Sequence, residues 1–331
     1  MRHAATLLIA IVLVAPAVFA HEGWGIVVDD RLGVIVADIP ANTIWRVANG
    51  RAEPLARNIH SHELLIGPDG ALYGSNPEPN GTLSSVWRID ASGRFSYVLP
   101  PAPGSPLGLQ SFLYSSDGSL YSASRYDHRR PSVVLLRRRP NGEISAVAGG
   151  AKGFNDGTGA NAQFLGIDGI RETPDGTLLV ADGNHLRKVD RDRRVVTITP
   201  ALTQRRWDED LLGLCSVRGD FVHVADHAGR RVLRVNWKTG HFTEVARSGL
   251  FWAPAGVEQR QDLYILEHLR PPLAIFGDLQ LGPYLRVRQV APDGTSTTLV
   301  VIWGRRSTIA SVALMLLVIA TGRLLRKRRS V

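Results

Sequence analysis

Apolar and polar residues alternate along this chain in short bursts, and one burst recurs. A turn ending in Gly or Asp, a short apolar run, a small residue and an acidic or polar stop read GVIVAD (33–38), GALYGS (70–75) and GSLYSAS (118–124). The phrase returns as GTLLVAD (176–182), DFVHVAD (220–226) and DLYILE (262–267). A second apolar strand follows each copy: TIWRV, SVWRID, VVLLRR, HLRKVD, RVLRVN and YLRVRQV. A turn and a shorter strand come next: NGRAEPLA, ASGRFSYVL, PNGEISAVA, RDRRVVTIT, KTGHFTEVA and PDGTSTTLV. The fullest copy, within 149–190, predicts strands at 169–172, 177–181 and 184–189. The first two are joined by Thr173-Pro174-Asp175-Gly176, whose Pro and Gly preset tight-turn dihedrals.

A period of about 40 residues with four strands apiece is the signature of propeller blades. Six copies predict an all-β fold, a six-bladed β-propeller in one domain over residues 21–303. Each blade buries its faces only against its neighbours. Two packed sandwiches would not impose the same order six times, and a seven-bladed ring lacks a seventh copy. The 33 Gly and 19 Pro, spread over the 331 residues, suit many short strands joined by turns.

The two ends depart from this pattern. Residues 4–20 are apolar after Arg2 and His3, and Val18 and Ala20 occupy the small-residue positions of a signal-peptidase site. Residues 1–20 are therefore read as a signal peptide cleaved before His21, and Pro16 argues against an uncleaved anchor. Near the other end, Ser307 to Gly322 (STIASVALMLLVIATG) is a little shorter than the ~20 residues a bilayer core requires, and Arg305, Arg306 and Arg323 are placed to snorkel. Residues 304–323 are read as one transmembrane helix and 324–331 as a basic cytoplasmic tail, with Arg326–Arg329 fixing its side. The propeller is then expected outside the cytoplasm, periplasmic or extracellular.

The net charge of +9 sits largely in that tail and in Arg137–Arg139, not on an aromatic-laced face, so nucleic acid is not an expected partner. A protein partner gripped by Arg129, Arg130 and Arg137–Arg139 is a separate reading of the same charge. The single cysteine, Cys215, lies in an apolar run and reads as a buried inert thiol.

VADGNHLRKVD, VADHAGRRVLRV and VADIPANTIWRV resemble NHL repeats, and GFNDGTGANAQF resembles their inter-blade loop. EGWGIVVDDRLGVIVADIPANTIWRV (22–47) and GDFVHVADHAGRRVLRVNWKTG (219–240) resemble the regucalcin/gluconolactonase, or senescence marker protein, family. That resemblance implies a divalent metal, calcium or zinc, at the mouth of the central channel, with lactone hydrolysis as the activity. Carried over by position, the family's metal-binding Glu falls on Glu22, its Asn positions on Gln110 and Asp168, and its Asp, which is also the base, on Leu212. A leucine neither ligates a hard cation nor accepts a proton. The resemblance thus predicts the scaffold while the residues argue against the usual metal lactonase.

Independently of the family, aligning the repeats places Trp24, His62, Gln110, Asp168, Leu212 and Ala255 at one level of the channel mouth, with Glu22, Glu63 and Ser111 nearby. A half-polar, half-apolar ring suits a small organic ligand oriented by a few polar groups. His60-Ser61-His62-Glu63 sets two histidines on one side of a strand, which reads either as a polar strand or, with Glu22 or Asp168, as metal ligands. A cleaved terminus at His21 would add an α-amino group and an imidazole. Asp38, Asp182 and Asp226 recur at one repeat position and read as strand-end caps bonding backbone N–H groups or a following Arg or Asn. Asn155–Gly159 lacks the remaining parts of a P-loop or an EF-hand and reads as an inter-blade connection. Asn80-Gly81-Thr82 fits a glycosylation sequon. No Gly-x-Ser-x-Gly elbow occurs. The expectation is a membrane-anchored binding module for a small molecule or a protein, with a metal-dependent hydrolase of lactones or related esters as the alternative.

Overall fold

Aspartate and glycine set the hairpins from which the fold is built. Between the first two strands of the second, third and fourth blades, Asp69, Asp117 and Asp175 accept the backbone N–H two residues on. The glycine that follows each Asp, at 70, 118 and 176, takes φ of +72°, +79° and +81°, a left-handed conformation that a Cβ would strain. The computed structural model describes residues 23–76, 84–102, 105–124, 132–203, 211–270 and 283–303. The expected signal peptide, transmembrane helix and tail lie outside the described residues, as do Glu22, His21, Arg129, Arg130 and the Asn80 sequon. Among the described residues no helix is long and apolar enough to cross a membrane.

Six antiparallel sheets follow one another along the chain, over 26–57, 64–99, 107–151, 169–197, 211–247 and 252–303. Within these ranges the strands pair in chain order, so every blade is a four-stranded meander, the fourth carrying one further edge strand. The chain is a six-bladed β-propeller, as the repeats predict. The innermost strands are Ile26–Asp29, Leu64–Ile66, Leu107–Tyr114, Gly169–Glu172, Leu211–Leu214 and Trp252–Gln259. They all begin at one end of the channel, here the mouth, and finish at the far face. The predicted fourth-blade strands form at Gly169–Glu172, Leu178–Asp182 and His185–Val189.

Apolar side chains collect between blades. Separate clusters fill the interfaces of blades one and two (around Ile35, Leu64 and Trp87), two and three (Tyr73, Leu109, Phe112), and three and four (Leu135, Phe164, Ile170). A larger one runs through blades four, five and six, and another joins blade six to blade one around Val36, Leu285 and Val287. Asn155–Gly159 is more than a connection. Asn155 bridges Gln163, and Gly157–Thr158 pairs with Arg194 and Val195 as a fifth strand on blade four.

Asp38, Asp182 and Asp226 each close the second strand of their blade and are buried to 0–1% exposure. One oxygen takes backbone N–H: Ala41 for Asp38, Leu165 and Gly166 for Asp182, and Gly229 for Asp226. The other takes a side chain: Trp45 and Tyr284, Arg187, and Arg231 respectively. They are the strand-end caps expected from the sequence.

Candidate functional site at the channel mouth

The innermost strands of blades three, five and six lose register where they reach the mouth. Bulges fall between Leu107 and Phe112 (paired to Ser124 and Ser122), between Leu211 and Leu214, and between Pro254 and Gly256. A bulge kinks its strand and re-aims side chains. In blade three it holds buried Leu109 at φ +57°, its N–H donating to Ser122 Oγ, and turns Gln110 outward to solvent. In blades five and six it brings Gly213 against Ala255 O and Gly256 Cα, close enough that an added Cβ would lie 3.0 Å from each.

Trp24 fills the mouth beside them. Its backbone N–H and that of Gly25 donate to His62 O at 2.9 and 2.8 Å, fixing blade one on blade two. Its ring meets the His62 imidazole edge-on, centroids 5.2 Å apart, and packs on Ala255. Trp24 is 7% exposed, and its indole N–H finds no acceptor among the described residues. His62 is also buried, and its Nε2 lies 3.1 Å from His60 Nε2. Two further buried histidines flank this group: His268 Nε2 is 3.0 Å from Gly23 O, and His227 Nδ1 is 3.1 Å from Pro254 O. No repeat pattern singled out His227 and His268; each follows the acid that closes its repeat phrase, Asp226 or Glu267, and that position is the signal that could have found them.

The structure thus joins Trp24, His62 and Ala255, with Gly213 of the blade-five wall, into one packed patch. Asp168 is half-buried at the start of blade four, its N–H bonded to Ala181 O, and Gln110 is exposed on blade three. The side chain of Leu212 lies outside the described residues. Among the described residues the mouth offers a divalent cation no three-ligand donor set. No three His, Cys, Asp or Glu converge among the described residues, and the blade-five wall is Gly213 packed on Ala255 and Trp24.

Glu63 and Ser111 point away from any ligand and into the wall between blades. Glu63, 1% exposed, accepts Ser111 Oγ (2.7 Å), the Phe112 N–H (3.2 Å) and Arg171 Nη1 (2.6 Å), so three blades meet at one carboxylate. Burial alone would lower the Arg171 pKa, but the Glu63 carboxylate outweighs it and holds the guanidinium above its usual value. Toward the far face the channel widens into a cavity of about 250 Å³ lined by Arg171, Glu172, Ser216, Glu258, Arg260 and apolar residues. Burial raises Glu258, with Arg171 acting against it. Cys215 is 1% exposed, and burial pushes its thiol up to about 12, so it is inert as expected.

The Arg137–Arg139 cluster borders a groove of about 1010 Å³ between blades three and four. Arg137 is tied to Asp117 and Arg139 to Glu143, which neutralises much of that patch.

No protein-family model matches the chain, and no curated protein does. Among solved structures it is similar to a gluconolactonase from Xanthomonas campestris, at 14% identity over 74% of this chain and 83% of that one, TM-score 0.55. It is also similar to a streptogramin B lyase (12% identity, 83% and 81% covered, TM-score 0.52). A third is an auxiliary nutrient binding protein from Bacteroides thetaiotaomicron (9% identity, 74% and 66% covered, TM-score 0.53). At these identities the likeness is one of fold. The chain has the propeller fold of the gluconolactonases that its sequence resembles, on which lyases and binding proteins are also built.

Proposed function

We propose that this protein is a membrane-anchored, extracytoplasmic propeller that binds a small organic ligand at the channel mouth. The observation that carries the proposal is the buried indole N–H of Trp24, which meets no acceptor among the described residues and stands beside the His62 imidazole. A buried donor without a partner costs about 1–3 kcal/mol, which an oxygen of a bound ligand would recover. The apolar wall of Gly213 and Ala255 supplies contact area, and Gln110 and Asp168 supply polar groups on the opposite arc. Similar folds serve an enzyme of lactones, a lyase and a nutrient binding protein, so the fold leaves the choice to the mouth residues.

The test is a thermal-shift screen of small polar organic molecules on the full chain in detergent. Stabilising compounds should lose their effect in Trp24→Phe, which keeps the ring and removes the N–H, and in His62→Gln. A screen without stabilising compounds, or hits indifferent to both substitutions, overturns the reading. The alternative, metal-dependent lactone hydrolysis, is favoured by the fold shared with a gluconolactonase. Turnover of a sugar lactone that needs calcium or zinc and stops on chelation would put it in place of the binding reading.

A further inference from the structure

We propose that the mouth face of the propeller is a membrane-docking surface, with Leu250, Phe251 and Trp303 seated in the interfacial layer of a phospholipid bilayer. This rests on the reading of residues 304–323 as an anchor. Leu250, Phe251 and Trp303 are 64%, 53% and 56% exposed, the largest exposures among the big apolar side chains described, Tyr97 at 51% coming next. They share one face. Trp252 pairs with Leu269, His268 with Leu285, and Pro283 with Trp303, so the outer strand of blade six ends at the mouth side, level with the loop that carries Leu250 and Phe251.

That loop is held rather than loose. Arg230 donates to the carbonyls of Leu250, Trp252 and Arg270, and the Arg270 N–H donates to Phe251 O. Two large side chains are thereby presented to solvent at a fixed place, where burial in lipid would remove their apolar area from water. Phe154 and Leu165, 41% and 37% exposed, lie on the same face beside the start of blade four.

Chain length makes the bilayer the occupant. Only Gly304, Arg305 and Arg306 separate Trp303 from the apolar run beginning at Ser307. Fully extended, that link spans at most about 14 Å. The polar layer on each side of a bilayer core is roughly 6 Å thick, so Trp303 is held within or just above it. An exposed Trp at that depth is where an indole is favoured.

The full chain, reconstituted in vesicles of phosphatidylcholine and phosphatidylglycerol, gives the test. Because Cys215 is buried, a fluorophore can be directed to an introduced thiol in Phe251→Cys or, as a far-face control, Ile144→Cys, both at exposed positions. Headgroup-linked nitroxide lipids should quench the label at 251 and leave the label at 144 bright. Quenching at neither position, in protein that stays with the vesicles through an alkaline wash, overturns the docking surface and leaves the anchor standing. Release by the wash removes the anchor and this inference together. A label at 251 shielded from iodide but not quenched by lipid identifies a protein occupant and also overturns the inference.

Discussion

Arg187 is fully buried, and its charge is spent on holding one blade together. Nη1 donates to Asp182 (2.7 Å) and to Gln163 O (2.6 Å); Nη2 donates to Asn155 O and to Asp156, both at 2.8 Å. The Phe154 and Phe164 rings stand 4.8 and 4.9 Å from its guanidinium carbon. Removing one member of such a pair leaves a buried charge, so Arg187→Met should cost about 3–5 kcal/mol in urea unfolding. Adding Asp182→Asn should recover part of that loss, because the amide oxygen still accepts from Leu165 and Gly166 without the charge. His223 makes a pH prediction. Burial, assisted by Arg234, lowers its pKa from 6.5 to about 4. The unfolded chain then binds a proton that the folded chain refuses, so stability is whole above about pH 6.5 and falls as pH drops toward 4, by about 3 kcal/mol. Denaturation curves at pH 7 and 4.5 should converge in His223→Gln. The caps at Asp38, Asp182 and Asp226 were legible because their position repeats. Arg187 was not, since an Arg in HLRKVD reads as a surface residue until Asp156, 31 positions earlier, is seen to fold over it.

Strands and hairpins were the most legible level, because their causes are local. Alternation, Pro-Asp-Gly turns and Asx bonds all act within a few residues. The bulges that shape the mouth were not legible: they depend on how many residues a strand fits between its turn and the facing blade, which no single repeat records. Aligned repeats placed Gln110, Leu212 and Ala255 at one level but could not tell that Gln110 is exposed and Ala255 buried. The same limit hid the Glu63–Arg171 pair, whose partners are 108 positions apart. Blade two shows how closely neighbouring strands can be fitted. Gly74 faces Trp87, and a Cβ at position 74 would lie 2.0 Å from Trp87 Cζ2, with the indole fully buried. Gly74→Ala must displace that ring, and overpacking of this kind costs about 1–3 kcal/mol. The denaturation midpoint should fall, and the combination with Trp87→Phe should lose less than the sum of the two single changes, since one steric conflict underlies both.

A ring of six blades must close, and here it closes without a shared sheet. Blade one takes four strands from 26–57 and blade six four from 252–303, so among the described residues no strand from one end of the chain is stitched into the blade at the other. The seam is held by side chains instead. Tyr284 of blade six donates its hydroxyl to Asp38 of blade one, Arg260 donates twice to Val28 O, and His268 lies 3.0 Å from Gly23 O, over an apolar cluster that includes Ile26, Val36 and Leu285. Burial first, and the Asp38 carboxylate second, raise the Tyr284 pKa, so the phenol stays a donor across the accessible pH range. Backbone ladders resist opening along their whole length, whereas these contacts act at single points, which makes the seam the expected place of lowest local stability. Tyr284→Phe removes the hydroxyl and leaves Asp38 with Trp45 and the Ala41 N–H as donors. The expected result is faster amide exchange in Ile26–Asp29 and Trp252–Gln259, with little change in Leu107–Tyr114 on the opposite side of the ring. Uniform acceleration in all three strands would mean that the ring opens only as a whole and that the seam is as strong as its sheets. The mouth patch depends on that seam, because Trp24 belongs to blade one and Ala255 to blade six. Ligand binding there should therefore slow exchange at the seam in the parent protein and do so less in Tyr284→Phe.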